Sequence, residues 1–126
     1  MKSQEIVANY INIWLNRDET IIPRLFAEDI VYTEFMGSVY QGIEQIRHWF
    51  SDWCKVGRVL KWDIQKTLET ENTIVVLWYF ESEYEKNTDG FNGVSVIVVN
   101  DENNIISVNE YYAKANLFYP YGKISG

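Results

Sequence analysis

Hydrophobic residues at helical spacing open the chain. Ser3 is a suitable N-cap for a helix that ends near Arg17. The apolar stripe of this helix is formed by Ile6, Tyr10, Ile13 and Trp14. A short second helix is predicted after Thr20, because Pro23 is tolerated only in a first helical turn. A third helix is predicted from about Gly42 to Val56, with a buried stripe of Ile43, Ile46, Phe50 and Trp53.

One strand interrupts these helices, in the run VYTEFMGSVYQG from Val31 to Gly42. Side chains alternate along a strand, so Glu34 shares a face with Ile30 and Tyr32 before the turn at Gly37. Two interpretations of Glu34 stay open at this point. It is either a solvent-facing charge on a half-buried strand or a carboxylate placed in an apolar cavity.

From Arg58 onward the pattern has a period of two. The first strand of this half is predicted to be apolar on one side only, through Leu60, Trp62, Ile64 and Leu68. Three more strands are predicted in TIVVLWYFESEYEK, FNGVSVIVVN and IISVNEYYAKANLF, with a hairpin turn at Asn87–Gly90 and a tight turn at Asp101–Asn104. The pattern predicts a single α+β domain over residues 1–126, in which a curved antiparallel sheet wraps around three N-terminal helices.

The two central strands of this sheet are apolar on both faces. One face carries Val75, Leu77, Tyr79, Val94, Val96 and Val98, and the other carries Val76, Trp78, Phe80, Ile97 and Val99. A sheet that curls around helices buries only its concave side, so the second apolar face needs another cover. The sequence therefore predicts a homodimer through the convex sheet face.

Composition and charge limit the classes of partner and cofactor that the sequence predicts. The chain has 126 residues and a net charge of −7, without any run of Lys and Arg, so nucleic acid is not expected as a partner. No segment has the length of a membrane span, and no membrane partner is expected. Aromatic residues reach 16%, an excess that indicates a thick core or a pocket for a small apolar ligand. A single cysteine, Cys54, suits the cytoplasm, and a single histidine, His48, leaves too few ligands for zinc, so no metal or cofactor is predicted.

Four segments together resemble a known family. They are NYINIWLNRD, LFAEDIVYTEF, GSVYQGIEQIRHWF and VVNDENNIISVNEYY. Their order and spacing are similar to those of the nuclear transport factor 2-like superfamily, which includes ketosteroid isomerase and the SnoaL-like polyketide cyclases. The resemblance covers nearly the whole chain and implies a cone-shaped, cystatin-like α+β fold. It also implies a homodimer.

The resemblance further assigns roles to individual positions. Tyr10 falls where the ketosteroid isomerases keep an oxyanion-hole tyrosine, and Glu34 falls where they keep an aspartate general base. Their second oxyanion donor, a neutral aspartic acid, aligns with Ser95. Glu110 occupies the place of the acid that acts as base in the SnoaL-like cyclases, but Val108 replaces the histidine usually found before it.

The candidate catalytic residues are thus Glu34, Tyr10 and Glu110. Burial would raise the pKa of Glu34 and make it a proton acceptor near neutral pH, while Tyr10 would donate to a substrate oxygen. Two inward carboxylates in one cavity disfavour joint ionisation, so one would keep its proton and act as an acid. In the alternative interpretation, Tyr10 packs in the core and Glu110 faces solvent. Glu34 is then either exposed or hydrogen-bonded by a backbone or tyrosine donor.

The remaining candidate residues are predicted to line the cavity. They are Trp14, Tyr32, Phe50, Trp53, Trp62, Trp78, Phe80, Ser95, Ile97, Val108 and Tyr112. The predicted function is a small-molecule-binding protein with an apolar, aromatic-lined cavity, acting as an isomerase, cyclase or hydrolase on a small cyclic carbonyl compound. The alternatives are a binding module without turnover and a dimeric interaction scaffold.

Overall fold

Helices and strands follow the predicted order in the computed structural model, which describes residues 3–124. The elements are α1 (Ser3–Leu15), a 3-10 turn (Glu19–Ile21), α2 (Ile22–Leu25), β1 (Phe26–Thr33), β2 (Val39–Gln41), α3 (Ile43–Val56), β3 (Gly57–Glu69), β4 (Thr73–Tyr84), β5 (Asn87–Val99) and β6 (Ile105–Lys114). They form one sheet with the strand order β2-β1-β6-β5-β4-β3, in which only the β1–β6 pair is parallel. The predicted α+β class, with a sheet wrapped around three helices, is confirmed, although the sheet is mixed and not wholly antiparallel because β1 runs parallel to β6.

The helices fill one side of the sheet with their apolar stripes. The buried residues of α1 include the predicted set of Ile6, Tyr10, Ile13 and Trp14. Helix α3 buries Ile46 and Phe50, while Ile43 and Trp53 are partly buried against the same core. Within residues 3–124, no helix has the length and apolar character needed to cross a membrane. The core therefore lies between α1, α3 and the inner face of the sheet.

The β4–β5 hairpin turns earlier than the sequence suggests. Its two-residue loop is Glu85-Lys86, with φ of 49° and 71°, and Asn87 already pairs with Tyr84. Two consecutive positive φ values are the geometry of a tight hairpin turn that matches the twist of the strands. The turn predicted at Asn87–Gly90 is therefore wrong by a few residues.

Gly93, a second glycine of β5, has a packing role that the sequence did not predict. Gly93 lies opposite Trp78, and a Cβ atom built on Gly93 would come 2.2 Å from Cη2 of that indole. The missing side chain leaves space for the Trp78 ring to lie across the neighbouring strand. Glycine here permits close packing inside the sheet, and the turn uses other residues.

Strand β3 is less one-sided than its alternation indicates. Register shifts interrupt its pairing with β4 between Val59 and Lys61 and again between Ile64 and Lys66. The second bulge places Leu68 opposite Val75 on the outer face, whereas Ile64 keeps the register of Trp62 and lies opposite Trp78. Of the predicted buried row, only Trp62 is buried, whereas Leu60, Ile64 and Leu68 are exposed.

The outer face of the sheet carries a band of apolar side chains. Cross-strand pairing aligns Leu77 with Val94, and Val94 with Tyr111. In a neighbouring row, Val75 pairs with Val96. These valines and Leu77 are half-buried, and Tyr111 is exposed. The inner residues of the same strands face the helices, as predicted.

Candidate functional site

A cavity of about 500 Å³ opens between the helices and the inner face of the sheet. Its walls are aromatic and acidic. The lining residues are Trp14, Tyr32, Glu34, Phe35, Met36, Tyr40, Trp49, Asp52, Trp53, Val59, Trp62, Trp78, Phe80, Ser82, Tyr84, Phe91 and Glu110. This volume lies within the range of about 300–1,000 Å³ that is typical of small-molecule sites.

Glu110 is the most buried carboxylate of this wall. It lies on β6 opposite Ser95 of β5, and alternation along the strand turns it to the inner face together with Val108. Its side chain is buried, and its Oε2 accepts hydrogen bonds from Tyr10 Oη at 2.8 Å and from Tyr32 Oη at 2.5 Å. Both tyrosine hydroxyls bind Oε2, so Oε1 is the carboxylate oxygen without a tyrosine donor.

The hydrogen-bonded group extends deeper into the sheet. Tyr10 Oη lies 2.8 Å from Ser95 Oγ, and the indole Nε1 of Trp78 donates to that oxygen at 2.9 Å. The two tyrosine hydroxyl oxygens are 2.9 Å apart. Helix α1 and strands β1, β4, β5 and β6 each contribute one member, so the group exists only when the whole fold has formed.

Burial sets the protonation behaviour of this group. Loss of solvation raises the pKa of Glu110 to about 7, and the nearby Glu34 carboxylate adds to the increase. The hydrogen bonds from Tyr32 and Tyr10 oppose it, because they stabilise the ionised form. Burial also raises the pKa of both tyrosines well above their usual range, so they stay protonated donors. Glu110 can therefore gain or lose a proton near neutral pH.

Glu34 lies at the end of β1, in a tight turn that leads to β2. Its N–H donates to the Ser38 carbonyl at 2.9 Å, and the Gly37 N–H donates to the Glu34 carbonyl at 2.9 Å. Gly37 has a φ of 99°, which favours glycine. The half-buried Glu34 side chain accepts a hydrogen bond from Tyr40 Oη at 2.7 Å and lines the cavity. Burial raises the pKa of this carboxyl group, and the Tyr40 hydrogen bond opposes the increase.

The other candidate residues are divided between the cavity surface and the layer behind it. Those that line the cavity are Trp14, Tyr32, Trp53, Trp62, Trp78 and Phe80. The fully buried layer behind it holds Tyr10, Ser95, Ile97 and Val108. Phe50 packs against Trp14 at a ring distance of 5.3 Å, and the exposed Tyr112 packs against Phe35 at 4.8 Å. The Tyr10 hydroxyl is thus next to Glu110 but not on the cavity surface.

Two aromatic residues of the helix-side wall were absent from the sequence-based set. Tyr40 and Trp49 stack at a ring distance of 4.2 Å and an interplanar angle of 10°. Trp49 lies one helical turn after Ile46 and one turn before Trp53, so the apolar stripe of α3 contained the signal. Tyr40 lies on the short strand β2, which alternation did not predict.

The cavity wall also contains a buried donor. Trp62 Nε1 has no solvent exposure and no hydrogen-bond partner among residues 3–124. A buried N–H group without a partner costs about 1–3 kcal/mol. In the same described part of the chain, no group of three or more His, Cys, Asp or Glu side chains is placed to hold a metal ion.

Sequence comparison finds one family for this chain. A family model described as a SnoaL-like domain matches residues 7–107. A comparison with curated proteins finds no significant match.

Solved structures with the same fold include three that cover most of the chain. A protein with a ketosteroid isomerase-like fold from Catenulispora acidiphila, in complex with trimethylamine, is 20% identical with a TM-score of 0.78, over 89% of this chain and 88% of that one. An LEH-like epoxide hydrolase of M. tuberculosis is 15% identical with a TM-score of 0.77, over 86% and 80%. A protein with a cystatin-like fold from Xanthomonas campestris is 12% identical with a TM-score of 0.75, over 90% and 92%. At these identities the likeness concerns the fold.

Proposed function

Because the chain belongs to the SnoaL-like domain family, we propose that it is an acid–base enzyme that acts on a small, largely apolar cyclic carbonyl compound bound in the cavity. The observation that carries this proposal is the arrangement of Glu110. Its Oε2 is held by two tyrosine hydroxyls, its Oε1 has no tyrosine donor, and its pKa is raised to about 7. A base is most useful when its pKa lies near the working pH.

The proposed step is a proton transfer at a carbon next to the carbonyl group. Glu110 Oε1 accepts the proton as the C–H bond breaks, and the electron pair moves to the carbonyl oxygen to form an enolate. The same oxygen returns the proton to a different carbon of the enolate as the carbonyl group re-forms, which completes an isomerisation. Tyr10 and Tyr32 act as positioning residues, because their hydroxyls hold Oε2 in place.

The enolate oxygen needs a hydrogen-bond donor that is not already engaged. Trp62 does not supply it, because its unpartnered indole N–H is fully buried and is not exposed to the cavity. Glu34 is our candidate donor when it is protonated, because its half-buried side chain lines the cavity and its raised pKa favours the protonated form. In this proposal Glu110 is the base and Glu34 supplies the acidic proton or the polar floor of the site.

Hydrogen–deuterium exchange tests the proposal without knowledge of the natural substrate. Small cyclic ketones are incubated with the protein in D2O, and exchange next to the carbonyl is followed by NMR. We expect exchange that increases with pH through about 7, because the base must be ionised. Glu110→Gln is expected to slow the exchange by a factor of about 10² or more. Glu71→Gln, at an exposed position of the β3–β4 turn, is the matched control. Equal exchange rates for Glu110→Gln and the parent protein would contradict the proposal.

Binding without turnover is the second candidate function. It is favoured by the engagement of both buried tyrosine hydroxyls with Glu110, which leaves neither of them for a substrate oxygen. The Catenulispora protein of the same fold was solved with a small molecule, trimethylamine. Saturable ligand binding with no exchange in any ketone would support this second function.

We further propose that the chain forms a homodimer through the outer face of the sheet. The apolar band of Leu77, Val94, Val96 and Tyr111 is the surface that a second copy would cover. Light scattering after size-exclusion chromatography is expected to give twice the mass of one chain. Val96→Lys is expected to give the mass of one chain, because it places a charge within the band, whereas Glu102→Lys in an exposed turn is expected to leave the dimer intact. A parent protein with the mass of one chain would contradict the proposal.

The cellular location stays a prediction from the sequence. Cys54 is a free, partly buried thiol. Such a thiol persists in a reducing compartment, and we propose the cytoplasm.

A further inference from the structure

We propose that the carbonyl compound bound in this cavity also carries a small cationic group, an amine or quaternary ammonium, held between aromatic rings with the Glu110 carboxylate as its counter-charge. The inference rests on the proposed function in one respect, since it takes the cavity at Glu110 as the working site. It adds the charge and chemical class of the group that the cavity recognises.

Aromatic rings form both walls of the cavity. On the helix side, Trp49 lies 4.6 Å from Trp14 and is stacked on Tyr40, measured between ring centroids. On the sheet side, Trp62 meets Phe80 nearly edge-on, at 5.1 Å and 86°. A box of aromatic rings is the arrangement that recognises quaternary ammonium groups, with about 0.5–2 kcal/mol for each cation–π contact.

The charges in the cavity all have one sign. The lining contains Glu34, Asp52 and Glu110, and no Lys, Arg or His belongs to it. Asp52 already faces His48 at 3.4 Å and Lys55 at 3.8 Å on the surface of α3. Neither Glu34 nor Glu110 forms an ion pair within residues 3–124. A bound cation would supply the missing opposite charge, whereas an anion would be repelled.

None of the polar groups around Glu110 carries a positive charge that would neutralise its ionised carboxylate. Tyr10 from α1, Tyr32 from β1 and Tyr40 from β2 are the titratable hydroxyls near it, and all three have raised pKa values. They therefore remain neutral at neutral pH, and Glu34 is the other acid that faces the group. Ionisation of Glu110 places a net negative charge in a low-dielectric space, which strengthens its attraction for a cation. Cation binding in turn favours the ionised form of Glu110.

A pair of probes that differ only in charge tests the inference. Choline carries a trimethylammonium group, and 3,3-dimethylbutan-1-ol is its neutral isostere with carbon in place of nitrogen. Calorimetric titration at about pH 8 is expected to show that choline binds at least about tenfold more tightly than the alcohol does. The preference is expected to decrease at about pH 5.5, where Glu110 is protonated. Near neutral pH, binding of choline is expected to release protons, whereas binding of the alcohol is expected to release none.

Variants separate the charge from the aromatic wall. Glu110→Gln is expected to weaken choline about tenfold and to leave the alcohol unchanged. Trp53→Leu keeps the wall apolar but removes a ring, and is expected to weaken choline alone. Glu71→Gln is again the control. Equal or tighter binding of the alcohol would overturn the inference, and so would failure of both probes to bind at millimolar concentration.

The two proposals fail in distinguishable ways. If the protein prefers the neutral alcohol and also shows Glu110-dependent exchange in ketones, the proposal of a cationic ligand is wrong and the proposed acid–base function is supported. If choline binding depends on Glu110 but no ketone shows exchange, the proposed acid–base function is wrong and the proposal of a cationic ligand is supported.

Discussion

Glu110→Gln is expected to stabilise the ligand-free protein by about 3 kcal/mol at pH 8 and to have no effect on its stability near pH 4. The reason is the raised pKa of Glu110, which is about 7 in the folded chain against a usual value of 4.5. The folded state holds this proton more tightly than the unfolded state does. Between these two pKa values, increasing pH therefore lowers the free energy of unfolding of the parent protein.

The size of the effect follows from the difference between the two pKa values. A difference of about 2.5 pH units corresponds to about 3 kcal/mol, and the loss is complete above the folded pKa of about 7. Glutamine has no charge at any pH, and its side-chain oxygen can still accept from Tyr10 and Tyr32. The variant avoids the cost of an ionised, buried carboxylate, and this advantage disappears at low pH.

Urea unfolding at a series of pH values measures this difference. The free energy of unfolding of the parent minus that of Glu110→Gln is expected to be near zero at pH 4 and to become negative as the pH increases to 8. The exposed variant Glu71→Gln is expected to follow the parent throughout. A constant difference between the parent and Glu110→Gln from pH 4 to 8 would contradict the raised pKa.

Gly93→Ala is expected to destabilise the protein by about 3 kcal/mol. A Cβ atom at this position would lie 2.2 Å from Trp78 Cη2 and 2.5 Å from Cζ3. The Trp78 ring is only 2% exposed, packs against Trp62 at 5.6 Å and donates to Ser95, so any movement of the ring breaks these contacts. We also expect weaker ligand binding, because Trp78 is part of the cavity wall.

Gly90→Ala is the matched control for this variant. Gly90 lies on the same strand, and a Cβ atom there would come 2.3 Å from the Tyr79 hydroxyl oxygen. That atom is the far end of a flexible side chain on the outer face, hydrogen-bonded to Glu81, and it can move aside. We expect a cost below about 1 kcal/mol. Chemical denaturation measures both variants, and equal losses of stability would show that the contact with Trp78 is not the cause.

Periodicity was sufficient for helix α1 and for the alternation of β4 and β5. Helix α1 and the inner residues of β4 and β5 have apolar positions at the spacing that the fold uses, and the structure places them as predicted. Strand β3 was less predictable, because two bulges interrupt its pairing with β4 although its sequence alternates regularly. The β4–β5 turn was misplaced because Gly90 suggests a turn, while its actual place is opposite Glu81 within the paired strands.

The candidate site could be predicted only in part. Glu110 was predicted on an inward-facing position and Glu34 was left open between a surface charge and a cavity acid, and both line the cavity. The pairing of Tyr10 and Tyr32 with one oxygen of Glu110 was not predictable from local pattern. It depends on three elements that are far apart in sequence, and no spacing rule connects a residue of α1 with one of β6. The unpartnered Trp62 N–H had no sequence signal for the same reason.

The short distance between the Tyr10 and Tyr32 hydroxyl oxygens has a consequence for how the site changes charge. While Glu110 is ionised, both hydroxyls donate to it, and the 2.9 Å contact between them carries no hydrogen. When Glu110 carries its proton on Oε2 and donates to Tyr32, the Tyr32 hydroxyl can turn and donate to Tyr10, which in turn can donate to Ser95. Every buried oxygen keeps a partner in both states, and only hydroxyl hydrogens rotate. The carboxyl group can therefore pass through a complete proton cycle while the heavy atoms around it stay still.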